Sequence, residues 1–525
     1  MATFDAQKTT WTADEALHFA RRAGFGATPE QAAALAAQSL ASVVDAWVGA
    51  TASTTAFDAA LLKADVISDG ARNMLPADPA PHPYRVEAWR FNLTNAQALL
   101  AWRMQHSPNP LQEKMALFWH QLLATGFGKV ENTAFMLRQH ATFRALGRGS
   151  FGALLLAVSQ DPAMLVWLDS VLNRVRSQAD VANENYAREI LELYSLGVDN
   201  GYNQQDITNL ARAFSGWNYT PTGYLTDPND ANNRRPEDGV FRVFRGQPNT
   251  NPIDPRYGGT LPNWHATGTI TFLGRSFDLG AATGYGEALV GAILTERGAQ
   301  CAQFLAKRLL TFFVNPAFTP AALDDLQALI LAKGFHLGEV LKAVFKSQFF
   351  FDAANRFNLY EGPVAWTVRM AKLLCPGLAA ATVPALPLFP AWRLVAPAFD
   401  NAGMKLLDPE GPNGWHEHEG WINSNTARYR GRLATALALN EKSSSLPLFP
   451  TTVAAWFPAA PASAVAVFDR LVALLQPAPI PNSVRDGWLA GLWPGTFAWD
   501  GSTATQTKVR ELAFLILVSP QAQLH

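Results

Sequence analysis

Apolar residues recur at three- and four-residue spacing through most of this 525-residue chain, and that period, more than any single motif, restricts the fold to one built from helices. Thr12, with Glu15 three positions on, reads as a capping box that opens ADEALHFARRAGFG, and the helix closes at Gly24 or Gly26. TPEQAAALAAQSLASVVDAWVGA reads as one continuous second helix, with Pro29 in its first position behind Thr28. Helices follow through VEAWRFNLTNAQALLAWRMQH, PLQEKMALFWHQLLATG, TAFMLRQHATFRAL and FGALLLAVSQDPAMLVWL. They resume at YGEALVGAILTERGAQCAQFLAKRLLTFFV and continue through LDDLQALILAKG, LGEVLKAVFKS and GPVAWTVRMAKLL. The expected fold class is mainly α, a multi-helix array carrying a small β-hairpin and loop-rich insertion.

The insertion is marked by a change of composition. From about Asn218 to Gly274 the chain turns to Gly, Pro, Asn and Asp, and short alternating runs, VFRVF and TITFLG, predict a hairpin mounted on the helices. A loop this long in a compact protein points to function, here a lid. With 49% apolar residues to bury, a chain of this length exceeds one core. The expected regions are 1–217, an N-terminal helical part; 218–280, the insertion; 281–375, a central helical part; and 376–525, a C-terminal part with Pro-rich connectors. Two connectors share the string LPLFP, at Leu386 to Pro390 and Leu446 to Pro450, and read as stiff extended passages.

Charge and composition exclude several classes. The net charge is −1, with no run of lysines or arginines, so nucleic acid and anionic membrane surfaces are not expected partners. No apolar run reaches the roughly 18 to 20 residues that span a bilayer. The first residues lack the basic and apolar regions of a secretory signal. Cys301 and Cys375 are too few for a disulfide framework. No HExxH, nucleophile elbow or phosphate-cradling glycine loop occurs.

In a chain only 16% charged, NENYAREILELYSLG, from Asn183 to Gly197, concentrates three carboxylates, an arginine and two asparagines. At ~100° per residue, Glu184, Asn185, Arg188, Glu189 and Glu192 share an arc of roughly 140°, opposite Tyr186, Ile190, Leu193 and Tyr194. One reading is a solvated ladder of ion pairs contributing about 0.2 to 0.5 kcal/mol each. The other is a cleft wall on which Arg188 keeps one carboxylate ionised while burial raises another until it can donate a proton. The following helix, QQDITNLARAFSGWNY, carries Asp206, Asn209 and Arg212 and ends near Gly216 and Trp217, and would face the first across a pocket.

Around that face stand the other candidates. Asn183 and Asn185 would bind substrate hydroxyls or carbonyls, and Asp206 and Arg212 would line the same pocket. Trp217, Trp415 and Trp421 offer flat platforms for a sugar or another ring-bearing substrate. His120, beside Phe118 and Trp119, is either a hydrogen-bonded core residue or an acid/base group, and His265 stands before the hairpin as a second histidine candidate. His416 and His418, alternating with Glu417 and Glu419, would present both imidazoles to a metal if the segment were extended. No cofactor is otherwise implied.

Taken together, HFARRAGFGATPEQ, MALFWHQLLATG, LLAVSQDPAMLVWLD, NENYAREILELYSLGV, NQQDITNLARAFSGW, WHATGTITFLG, LAKRLLTFFV and GWHEHEGWINSNT resemble, in order, the bacterial family called domain of unknown function 1800. The resemblance covers most of the chain and brings no established reaction. The family's FWHNHF-like motif falls on Phe118, Trp119 and His120, with Leu122 where a second histidine stands. Its Asn-Glu-Asn and Arg-Glu elements fall on Asn183, Glu184, Asn185, Arg188, Glu189 and Glu192. Its His-Asp falls on His265 and Ala266, so both departures remove metal ligands. The resemblance also implies a periplasmic or secreted setting and a phosphatase-like partner protein.

The expected function is acid/base hydrolysis or lysis of a glycan-like polymer, with Glu189 or Glu192 as acid or base, Arg188 orienting a carboxylate, and Glu184 and His120 beside them. The alternatives are a non-enzymatic envelope assembly or binding protein working with that partner, and a mononuclear metal enzyme using histidine ligands.

Overall fold

The computed structural model describes residues 3–49, 93–177, 179–221, 224–227, 230–236, 239–250, 259–281, 284–375, 388–439 and 452–525. Over these residues 22 α-helices carry three two-stranded antiparallel sheets, a mainly α fold. Capping sets several helix starts. Thr12 accepts from the Glu15 amide, and the Glu15 carboxylate returns a bond to the Thr12 amide at 2.8 Å. Thr28 and Gln31 repeat the device, with Pro29 in the first turn.

The expected second helix is in fact two, Pro29–Ala36 and Leu40–Gly49, bent by 108°. Ser39 makes the break: its hydroxyl accepts from the Ser42 amide at 3.1 Å and caps the new helix. The bend turns Leu40, Val43, Val44 and Val48 into the core. A second run divides at Asp161, whose carboxylate caps Pro162–Trp167 through the Ala163 amide. A third divides at Arg297, between Tyr285–Glu296 and Gly298–Phe313. No single described helix is long and apolar enough to cross a membrane. The first LPLFP string is not an extended connector, because Leu388–Asn401 is a helix that begins inside it. Pro390 falls in its first turn, where the missing N–H has no intrahelical partner to lose. The second string lies outside the described residues.

The sheets are small. β1 (Trp217–Pro221) pairs with β4 (Gly239–Val243), β2 (Tyr224–Asp227) with β3 (Asp230–Pro236), and β5 (Thr269–Phe272) with β6 (Arg275–Asp278). The β5–β6 turn has positive φ at both Leu273 and Gly274, the two-residue primed geometry that matches strand twist. A leucine is costly in that conformation. Its amide is held by Asp206 Oδ1 at 2.8 Å and its side chain is buried.

Two apolar cores form, and the chain passes between them. The first takes Phe19, Phe118, Trp119, Tyr194, Trp217 and Phe313; the second takes Phe25, Trp102, Trp366, Trp392 and Trp456. The helix Pro110–Leu122 serves both, because Met115, Phe118 and Trp119 enter the first while Leu117 enters the second. It is buried around its whole circumference, including Glu113, Lys114 and His120. Its polar residues therefore need partners or a purpose.

Candidate functional site

The acidic helix, Asn185–Glu192, has Glu184 as its N-cap. Arg188 bridges Glu184 at 3.2 Å and Glu192 at 3.0 Å, both at i,i+4 spacing, with all three side chains partly exposed. The following helix, Gln204–Ala213, is tied directly to it: Thr208 Oγ1 donates to Glu184 Oε1 at 2.7 Å and Gln204 Nε2 to Oε2 at 2.8 Å. Burial pushes Glu184 upward, but these donors and Arg188 outweigh it and hold the carboxylate below its ordinary range. Glu189 differs. Burial first, then the charge of Glu192, raises it, and Arg188 only partly offsets them.

Asn183 Oδ1 accepts from the Asn185 amide at 2.9 Å, and Asn185 Nδ2 reaches Asp169 at 3.3 Å. Asp206 completes the capping box with Asn203 besides holding Leu273. Arg212 Nη1 donates to the Asp180 carbonyl. These contacts lock local backbone.

The histidines and tryptophans are dispersed. His265 is buried, with Nδ1 2.6 Å from the Ser215 carbonyl and Nε2 3.1 Å from that of Leu279; burial pushes it down to about 4. Gly216 makes this join possible, since at φ +71 its added Cβ would lie 2.8 Å from the His265 nitrogen. Trp217 is buried and donates to the Tyr285 hydroxyl. His120 packs against His140, at 5.1 Å between ring centroids, and Trp415, at 4.9 Å, and burial lowers it to about 3. Among the described residues His120, His265 and the acidic helix share no hydrogen bond, ion pair or ring contact.

The HxH segment is not extended. His418 has φ +51, which sends its ring inward, while the His416 side chain is 68% exposed and lies 3.9 Å from Glu410. No group of three or more His, Cys, Asp or Glu among the described residues is arranged to hold a metal.

Where the two cores meet, the structure forms a partly open cleft with a cavity volume of about 70 Å³. The central helix supplies Lys114, Leu117 and Gln121, and the helix Gly298–Phe313 supplies Thr311 and Phe312. Leu359 to Gly362 and Ala365 form another wall; Met404, Glu417, His418, Trp421 and His525 complete it. Of the expected substrate platforms, Trp421 lies here. Trp415 stands just behind, its backbone clamped to Gln121 by bonds of 2.7 and 3.2 Å. Gly414 permits that clamp, because at φ +83 its added Cβ would fall 2.3 Å from the Gln121 carbonyl.

The cleft's polar groups are poorly matched to one another. Lys114 is 3% exposed and makes no hydrogen bond or ion pair among the described residues; its ammonium lies 5.1 Å from the Phe25 ring and 5.8 Å from that of Phe312. Burial foremost, then Arg22 and Arg369, push its amine down to about 8 against the pull of Glu361. Glu361 is itself fully buried, with Oε2 2.8 Å from Arg369 Nε and Oε1 without a partner. Arg430 donates to the Glu361 carbonyl at 2.6 Å, and Arg22 to the His525 carbonyl at 2.9 Å. Neither ring nitrogen of His418 has a partner among the described residues, nor has Nδ1 of His525. Arg22, Lys114, Arg369 and Arg430 thus surround Glu361. Even if a terminal carboxylate at His525 is set against them, positive charge is in surplus.

Sequence reasoning singles out Trp421 and His418 but misses Lys114 and Glu361. One signal was present: Lys114 shares a helical stripe with Phe118 and Gln121, a lysine where the period calls for an apolar residue. Glu361 pairs with Arg369 eight residues on, beyond the three- or four-residue spacing of side-chain pairs on a helix, and its backbone is held by Arg430, 69 residues away.

A family model described as "Protein of unknown function (DUF1800)" matches residues 18–524. No curated protein and no solved structure matches the chain.

Proposed function

We propose that this chain, which belongs to the DUF1800 family of proteins of unknown function, binds and transforms a negatively charged, ring-bearing molecule of glycan type in the cleft between its cores. The observation that carries this reading is Lys114: a buried cation on the cleft wall with no hydrogen-bonding group among the described residues to satisfy it. An anionic group of the ligand would supply that partner. Trp421, Phe312 and Tyr360 provide faces for its rings, and Glu417, paired with Arg308 at 3.7 Å, is the partly exposed carboxylate on the same lining. Calorimetry with methyl glucuronide and methyl glucoside tests it. The acidic sugar is expected to bind at least about tenfold more tightly, about 1.4 kcal/mol, and Lys114→Met to erase the difference. Equal affinities, or a preference that survives the substitution, would sink the reading.

A second reading keeps hydrolysis or lysis of a glycan-like polymer on the acidic helix. It is favoured by the opposed carboxylates there, Glu184 held ionised and Glu189 raised toward its neutral acid. Glu189→Gln and Glu192→Gln, assayed on a polysaccharide panel, decide it, since unchanged turnover in folded variants removes both roles.

A further inference from the structure

We infer that Lys114 is a nucleophile whose amine condenses with the carbonyl carbon of an aldehyde or ketone bearing a negative charge. The inference rests on the cleft reading above and goes beyond it by assigning a covalent role and a substrate class. Its ground is position. Lys114 is the one lysine among the described residues on the cleft lining, and the helix that carries it is buried on every side, so its backbone origin is fixed.

No carboxylate among the described residues pairs directly with that amine, and Glu361 attracts its positive charge only from beyond ion-pair distance. Lysines 129, 342, 346 and 405 each sit within 2.8 Å of a carboxylate. Lys114 has the faces of Phe25 and Phe312 and the longer-range pull of Glu361, while burial and the guanidiniums of Arg22 and Arg369 oppose its positive charge. Desolvation beside other cations is the environment in which lysines become nucleophilic. Low basicity alone does not make the case. Lys372 is pushed down to about 8 by burial too, but it lies off the cleft lining and faces His106.

The step balances without a further reagent. The neutral amine adds to the carbonyl carbon, the C–N bond forms, and the displaced π pair takes a proton at oxygen. The resulting carbinolamine loses that oxygen as water, which carries off both amine hydrogens, and leaves an imine. His418, whose ring nitrogens have no partner among the described residues, lines the same cleft and is the candidate to relay the proton. The positive basin around Glu361 favours a substrate whose other end is anionic.

Reductive trapping tests this on the full chain. Glyoxylate, an aldehyde bearing a carboxylate, is added with cyanoborohydride at about pH 7.5, and the modified lysines are mapped by peptide mass spectrometry. A pKa of about 8, against the ordinary 10.5, gives a neutral fraction larger by about a hundredfold. Lys114 is expected to be carboxymethylated at least about tenfold faster than the exposed lysines, with the rate levelling off above pH 8. Lys372→Met should leave this trapping unchanged, and Lys114→Met should abolish it. Modification of Lys114 no faster than that of exposed lysines overturns the inference. Methyl glucuronide, which has no free carbonyl, separates the two readings: if it binds and trapping fails, the nucleophile alone is lost; if it does not bind, the cleft reading falls as well.

Discussion

Glu361 and Lys114 answer differently to substitution, although they share one basin. Removing the carboxylate strands Arg369, which is fully buried beside it, so Glu361→Gln is expected to cost about 3 to 5 kcal/mol in urea unfolding. Lys114→Met removes a desolvated charge from among aromatic rings and should be neutral or stabilising by up to about 4 kcal/mol. Burial has lowered the folded pKa of Lys114 to about 8 from 10.5, so between those values the unfolded chain holds more protons. The contribution of this residue to stability therefore rises as pH climbs from 8 to 10.5, and Lys114→Met should flatten that rise. His120 and His265, lowered to about 3 and about 4 from 6.5, act at the other end. There the unfolded chain takes up protons first, so stability should fall as pH drops from 6.5 toward 4, with an urea midpoint that moves accordingly. Sequence neighbours draw attention to Lys114, His120 and His265 but not to their charge states, because each owes its state to burial by distant segments. Thr12 and Glu15 were legible for the opposite reason: both halves of their interaction lie within one turn.

At the scale of elements, period and caps carried most of what could be read. The helices and the β5–β6 hairpin follow from spacing and turn chemistry. The breaks at Ser39, Asp161 and Arg297 did not, since each joins two segments that separately obey the helical period. What decides them is tertiary: the bend at Ser39 exists to turn a valine face inward. The acidic helix was legible as amphipathic, but the side-chain bonds from Gln204 and Thr208 that join it to its neighbour were not. The loop carrying Trp415 and His418 depends on Gly414. Gly414→Ala places a methyl group against the Gln121 carbonyl at a positive φ and should lower stability by more than about 1 kcal/mol, read as a fall in Tm. Because the same loop forms one wall of the cleft, methyl glucuronide affinity should fall with it.

Across the whole molecule, two cores share a single helix. Cys301 belongs to the first and Cys375 to the second, both are buried, and burial raises each thiol. They serve as built-in reporters. If Pro110–Leu122 couples the cores, both thiols should become reactive to a maleimide over the same range of urea concentration, whereas two separated ranges would show independent units. The architecture also explains why the cleft escaped sequence reasoning: its walls come from residues 114, 312, 361, 418 and 525, and only folding makes them neighbours.

That convergence has a consequence for how an occupant would be felt. A molecule lodged among Lys114, Phe312, Glu361 and His418 acts as a rivet through segments that are remote along the polypeptide, so its arrival should slow proteolytic nicking far from the point of attachment.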